Sequence, residues 1–174
     1  MHKRKDATTI LVGKKRHKLR LNRQDANRLE LLIESEGGWL SVTGKGYVEY
    51  CKDISVGGRT SRKRTSKRIR LHKLVAKWAR ILRSPTLDHH NGNKLDCRRN
   101  NLRRATMSQQ NQNRPATCIS GFKGVYPRRG GFRAVCNGEH IGDFSTAKEA
   151  ALAYDTRAKR QFGRFARLNF PSHI

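Results

Sequence analysis

A surplus of 26 positive charges is the tightest constraint on this chain: 39 Lys and Arg stand against 13 Asp and Glu in 174 residues. Packed into one body, that charge repels itself unless a polyanion lies close by. Nucleic acid is the partner this chemistry favours, because each Lys or Arg that meets a phosphate releases condensed counterions. A surplus kept for solubility alone would be much smaller. Apolar residues make up 35% of the chain, which suits several small cores better than one large one. The longest apolar runs, such as Ile10-Leu11-Val12, are too short to span a bilayer. No long apolar stretch follows the basic start Met1-His2-Lys3-Arg4-Lys5, so neither a membrane partner nor a secretory signal is expected. None of the four cysteines (Cys51, Cys97, Cys118, Cys136) lies in a Cys-x-x-Cys pair. They predict free thiols, no zinc site, and an intracellular protein of the cytoplasm or nucleoid.

The charge is uneven. Residues 1–24 carry net +8, residues 25–53 net −3, residues 54–114 net +15 and residues 115–174 net +6. The acidic second segment reads as a packing unit, and the third is where a polyanion should sit closest. Three regions are expected: a basic N-terminal arm with a small α/β segment over 1–66, a second region over 67–114, and a sheet-plus-helix domain over 115–174.

Local patterns support that division. Residues 1–20 read as a basic arm with a short strand at Thr8–Val12. Asp25–Ile33 has the leucine spacing of a short amphipathic helix, closed by Gly37-Gly38. Gly46–Cys51 reads as a strand, and Val56–Lys67 as a basic glycine-containing loop. Eight of the fifteen residues 59–73 are Lys or Arg with no acid among them, an electrostatic clamp for phosphates that carries no sequence information. Leu71–Trp78 has helical spacing, stopped by Ser84-Pro85. Two short strands, Thr86–His89 and Leu102–Ala105, flank a polar loop, and the Thr106/Gln109 capping box opens a short helix. Beyond Pro115, strands are expected at Phe122–Pro127, Phe132–Cys136 and Glu139–Phe144. The last two are joined by the strong hairpin signal Asn137-Gly138. A second capping box, Thr146/Glu149, opens an alanine-rich helix over Ala147–Phe162.

The stretch Asp88-His89-His90-Asn91-Gly92-Asn93, followed by Asn101-Leu102-Arg103 and by Gln110-Asn111, carries the clearest chemistry. A carboxylate and amide oxygens are hard ligands suited to Mg²⁺ or Mn²⁺. An imidazole beside them can take a proton from water near neutral pH. Taken alone, an Asp-His pair is as compatible with a surface turn. With Leu71-His72-Lys73-Leu74-Val75 upstream and Asn101-Leu102-Arg103-Arg104-Ala105-Thr106 downstream, residues 70–114 resemble the homing-type HNH endonucleases of phages and mobile elements. The resemblance implies a small ββα-metal core. It also implies one divalent metal, Mg²⁺ or Mn²⁺, and hydrolysis of double-stranded DNA to 5′-phosphate and 3′-hydroxyl ends.

By that resemblance Asp88 is the metal-binding acid, His89 the general base, and Asn101 the residue that orders the loop between the strands. His72 is structural or phosphate-contacting, and Arg103 is a DNA contact. The last metal ligand is open between Gln110 and Asn111, with Asn113 a lesser candidate. His90 is expected on the side of the strand opposite His89.

A second pattern runs through Gly121-Phe122-Lys123-Gly124-Val125, His140-Ile141-Gly142-Asp143-Phe144, Ala153-Tyr154-Asp155 and Ala166-Arg167-Leu168-Asn169-Phe170. It resembles the DNA-binding domain of plant ethylene-response factors. That implies a three-stranded antiparallel sheet packed on one helix, with the open face of the sheet in the major groove. Lys123, Arg128, Arg129 and Arg133 are the expected DNA contacts. Phe132 replaces the family's tryptophan and Tyr126 stands where it has an arginine, so its sequence preference does not carry over. The overall expectation is an α+β endonuclease that uses no small-molecule cofactor. The alternative is a non-catalytic DNA-binding regulator with a decayed nuclease core.

Overall fold

The computed structural model describes residues 7–56, 63–81 and 86–171. The basic start at 1–6, the centre of the basic loop at 57–62 and the Ser84-Pro85 stop lie outside the described residues. The fold is mixed α and β, with four helices and several small antiparallel sheets among the described residues. The chain divides into two units, residues 1–104 and 105–174.

Among its described residues the first unit opens with a hairpin, where residues 7–20 were expected to belong to a basic arm. Strands β1 (Ala7–Val12) and β2 (His17–Asn22) pair antiparallel with Ile10 opposite Leu19. In Lys18-Leu19-Arg20-Leu21 the period of two sends both leucines inward, where they are fully buried, and leaves the cations outside. Burial of each leucine is worth about 2 kcal/mol, enough to fold a segment whose charge alone suggests a free tether. Helix α1 (Arg23–Glu36) follows and ends at Gly37, whose φ of 64° lets its N–H reach the Ile33 carbonyl.

Strands β3 (Trp39–Val42), β4 (Val48–Val56) and β5 (Lys63–Arg70) form a sheet with β4 central. Two corrections to the sequence reading lie here. Residues 63–67, expected in a loop, belong to β5, and β3 was not expected. The expected break at 66/67 therefore falls within a paired strand. Helix α2 (Leu71–Trp78) packs Leu71 and Val75 into the same core as Val12, Leu19, Leu21, Leu29, Val48 and Leu102. The N-terminal segment and the Asp-His region thus share one hydrophobic interior. The short pair β6 (Leu87–His89) and β7 (Leu102–Arg104) completes the unit.

In the second unit helix α3 (Met107–Gln112) carries the expected capping box at Thr106 and Gln109. Strands β8 (Val125–Arg128), β9 (Gly131–Cys136) and β10 (Glu139–Phe144) form an antiparallel sheet with β9 central. Asn137 and Gly138 join β9 to β10 with φ of 53° and 84°, the positive pair that a tight two-residue hairpin requires. Helix α4 (Ala147–Phe162), opened by the second capping box, lays Ala150, Ala151, Tyr154 and Ala158 on the sheet. Close packing demands Gly124 (φ 74°): a Cβ there would stand 2.1 Å from the Tyr154 ring. The buried Asp155 carboxylate accepts the N–H groups of Asn169 and Phe170 at 2.8 and 2.7 Å, which ties that segment to α4. All four cysteines are free; Cys51, Cys97 and Cys136 are buried and Cys118 is half-exposed.

Candidate nuclease site and nucleic-acid surfaces

Antiparallel pairing places Asp88 directly opposite Arg103 and His89 opposite Leu102. Asp88 and Arg103 therefore share one face of the β6–β7 ribbon, and His89 turns to the other. Arg103 holds Asp88 Oδ2 through Nε at 3.0 Å and Nη2 at 2.8 Å, and its Nη1 lies 2.9 Å from His90 Nδ1. The guanidinium expected to contact DNA is thus engaged with the carboxylate expected to bind metal. His90 is exposed, on the Arg103 side.

His89 is 6% exposed and packs edge-on against His72, with centroids 5.0 Å apart. The Tyr47 ring lies 5.5 Å from His72 and 6.2 Å from His89. Burial disfavours the charged imidazolium at both histidines. It pushes His89 down to about 4, against an opposing pull from Asp88 and Asp96. It pushes His72 down to about 3, aided by His89, Arg70 and Lys73. Both rings are neutral at pH 7.

For His72 this has a stability consequence. Its folded value lies below the ordinary value of about 6.5, so the unfolded chain takes up the proton first as pH falls. Its contribution is whole above about pH 6.5 and is lost progressively toward pH 3. Between pH 7 and 5 the loss from this one residue is about 2 kcal/mol. Urea denaturation at the two pH values is expected to show a difference smaller by that amount in His72→Gln. An equal difference in both proteins would contradict it.

The loop between β6 and β7 is closed by Asn101, which is buried. Its Nδ2 donates to the Asp96 carbonyl at 2.7 Å and to Asn91 Oδ1 at 3.0 Å, and its Oδ1 accepts the Asn91 N–H at 3.0 Å. Asp96, wholly buried, accepts from Asn91 Nδ2 and from the Arg98 guanidinium at 2.6 and 2.7 Å. The N-terminal elements hold the same loop from behind. Arg20 in β2 exchanges backbone hydrogen bonds with Leu95 and Cys97. The Asn22 side chain accepts the Arg99 N–H at 2.8 Å, and buried Asp25 in α1 takes both arms of the Arg99 guanidinium at 2.6 and 2.7 Å. These contacts join positions more than seventy residues apart, so Asn22 and Asp25 left no local mark in the sequence. Asn91 and Asp96 did, as an amide-rich loop.

Gln110 and Asn111 lie on α3, half-buried and exposed respectively, in the second unit; Asp88 belongs to the first. Asn113 caps the same helix and is buried. Among the described residues no group of three His, Cys, Asp or Glu is placed to hold a metal ion. In the first unit the Asp88 carboxylate is a hard oxygen donor of the kind that suits Mg²⁺ or Mn²⁺. A carboxylate has lone pairs for an arginine and a cation together.

On the second unit, Tyr126, Arg133 and Asp143 are cross-strand neighbours in one row of the open sheet face. Asp143 accepts from Arg128 at 2.9 Å and lies 3.3 Å from His140 and 3.6 Å from Arg133. Arg129 is exposed in the turn after β8. Lys123 differs from the expectation of an open-face contact. It is half-buried, its Nζ donates to the Gln112 carbonyl, and burial lowers it to about 8.

Over 34 residues the chain is 56% identical to dehydration-responsive element-binding protein 2E of Arabidopsis thaliana. That stretch is 20% of this chain and 14% of the plant protein. No family model matches the chain. No solved structure matches it. No helix among the described residues is long and apolar enough to cross a membrane.

Proposed function

We propose that this chain is a DNA-binding endonuclease of the homing HNH type, dependent on one divalent metal. The observation that carries the reading is the Asp88-His89 pair on a short ribbon, with the imidazole buried and neutral and the loop beside it closed by Asn101. Asp88, with water oxygens, would hold Mg²⁺ or Mn²⁺. When bound, such a cation supplies charge neutralisation at the scissile phosphate and the leaving oxygen.

The remaining chemistry belongs to the chain. Neutral His89 accepts a proton from water as the oxygen attacks phosphorus, and the bond to the 3′ oxygen breaks. A 5′-phosphate and a 3′-hydroxyl result. The phosphate's negative charge raises the imidazole's proton affinity as the substrate arrives. Asn101 keeps the ribbon and its loop in register. The similarity to a plant element-binding protein supports duplex DNA as the partner, and the arginines of the open sheet face are the groups that would reach it.

The test is incubation of supercoiled plasmid and phage-derived DNA with the protein in Mg²⁺, Mn²⁺ or EDTA. Nicked or linear product that disappears in EDTA is expected. The Arg103 fork on Asp88 favours one second reading, a non-catalytic regulator with a decayed site. Salt-sensitive duplex binding without product in either metal would establish that reading instead.

A further inference from the structure

Three residues that no motif joins meet beside His89. Tyr47 lies in the connection between β3 and β4, Arg70 closes β5, and Lys94 sits in the loop after β6. The Arg70 guanidinium and the Lys94 ammonium each stand 4.7 Å from the centroid of the Tyr47 ring. That ring in turn packs on His72 and His89. Lys94 is also fixed by donating to the Lys45 carbonyl at 2.7 Å. Neither cation has a carboxylate within ion-pair distance among the described ion pairs, whereas Arg98, Arg99 and Arg103 each have one. Two like charges gathered around one aromatic ring repel each other. A phosphate drawn to both offsets that cost, and the ring holds the two cations in place before the anion arrives.

We infer that Tyr47, Arg70 and Lys94 form a phosphate subsite that seats one strand of duplex DNA beside His89. It deepens the proposed function by naming the cradle for the strand to be cut. Arg70 and Lys94 bind the phosphate oxygens, and Tyr47 is a positioning residue that acts through them.

The salt dependence of binding tests this directly, because each lost phosphate contact lowers the slope of log K against log salt by about 0.9. Anisotropy of a short labelled duplex would be followed in EDTA from about 50 to about 200 mM salt. Arg70→Gln and Lys94→Gln are each expected to lower the slope by about 0.9 and the affinity at 0.1 M salt by about eightfold. Tyr47→Leu should shift the slope in the same direction. Tyr47→Phe keeps the ring and Lys94→Arg keeps the charge, so both should retain the parent slope. Lys52→Gln is the control, since that ammonium already pairs with Glu36 at 3.3 Å.

Parent slopes in both glutamine variants, with parent melting curves, would overturn the subsite. So would a Lys52→Gln effect as large as theirs. Because the titration contains no metal, the result stands apart from catalysis. Lowered slopes with no plasmid cleavage would keep the subsite and remove the nuclease; unchanged slopes with cleavage would do the reverse.

Discussion

Alanine at His89 is expected to reduce metal-dependent plasmid cleavage by a factor of about 10² to 10⁴, the range a positioned general base contributes, while duplex binding in EDTA is preserved. The ring is buried and touches His72, so truncation also leaves a cavity. His89→Gln separates the two effects: it fills most of the space but takes no proton from water near neutral pH. Both variants should fall within that range, and imidazole added to the alanine variant should restore a measurable part of the rate. Cleavage by either variant at the parent rate would remove His89 from the chemistry.

The second large effect concerns stability. Asp25 is wholly buried and its carboxylate is gripped at both oxygens by Arg99. Removing Arg99 strands the buried carboxylate at a cost of up to about 3 kcal/mol, whereas the Arg99 side chain, 36% exposed, stays hydrated when Asp25 is lost. Arg99→Ala is expected to lose about that much in urea denaturation, and Asp25→Ala a smaller amount. Replacing both together, as Asp25→Leu with Arg99→Met, should recover most of the loss, because no lone charge remains. If Asp25→Ala unfolds at the parent midpoint, the pair is not a structural tie. The effect reaches the site, because Arg99 opens the 3-10 turn that ends at Asn101. A loosened turn releases the amide that closes the loop, so cleavage should fall along with stability.

What the sequence made legible follows its local chemistry. Both capping boxes read correctly because each is complete within four residues, and Asn137-Gly138 names its own turn. Helix α2 was legible from the spacing of Leu71, Leu74, Val75 and Trp78. The hairpin of β1 and β2 was less so, although Lys18-Leu19-Arg20-Leu21 alternates as a strand should, because its charge density suggests a tether.

The first part of strand β5, residues 63–67, was hidden for a physical reason. It lies at the edge of its sheet, where a basic sequence is tolerated and even discourages pairing with other chains. At the site, Asp88, His89 and Asn101 announced themselves by residue type. Asn22, Asp25, Tyr47 and Lys94 did not, since each acquires its meaning from partners that only the tertiary fold supplies, and Arg70 showed only as one cation of the basic run 59–73.

The burial of three thiols has a practical side. A thiol reacts through its thiolate, and burial raises Cys51 and Cys136 and pushes Cys97 up to about 12. Half-exposed Cys118 is left as the natural attachment point for a maleimide dye on the folded protein, with no cysteine replaced beforehand. It sits seven residues before β8, so a fluorophore there would signal the approach of a duplex to the second unit in real time, on the unaltered chain.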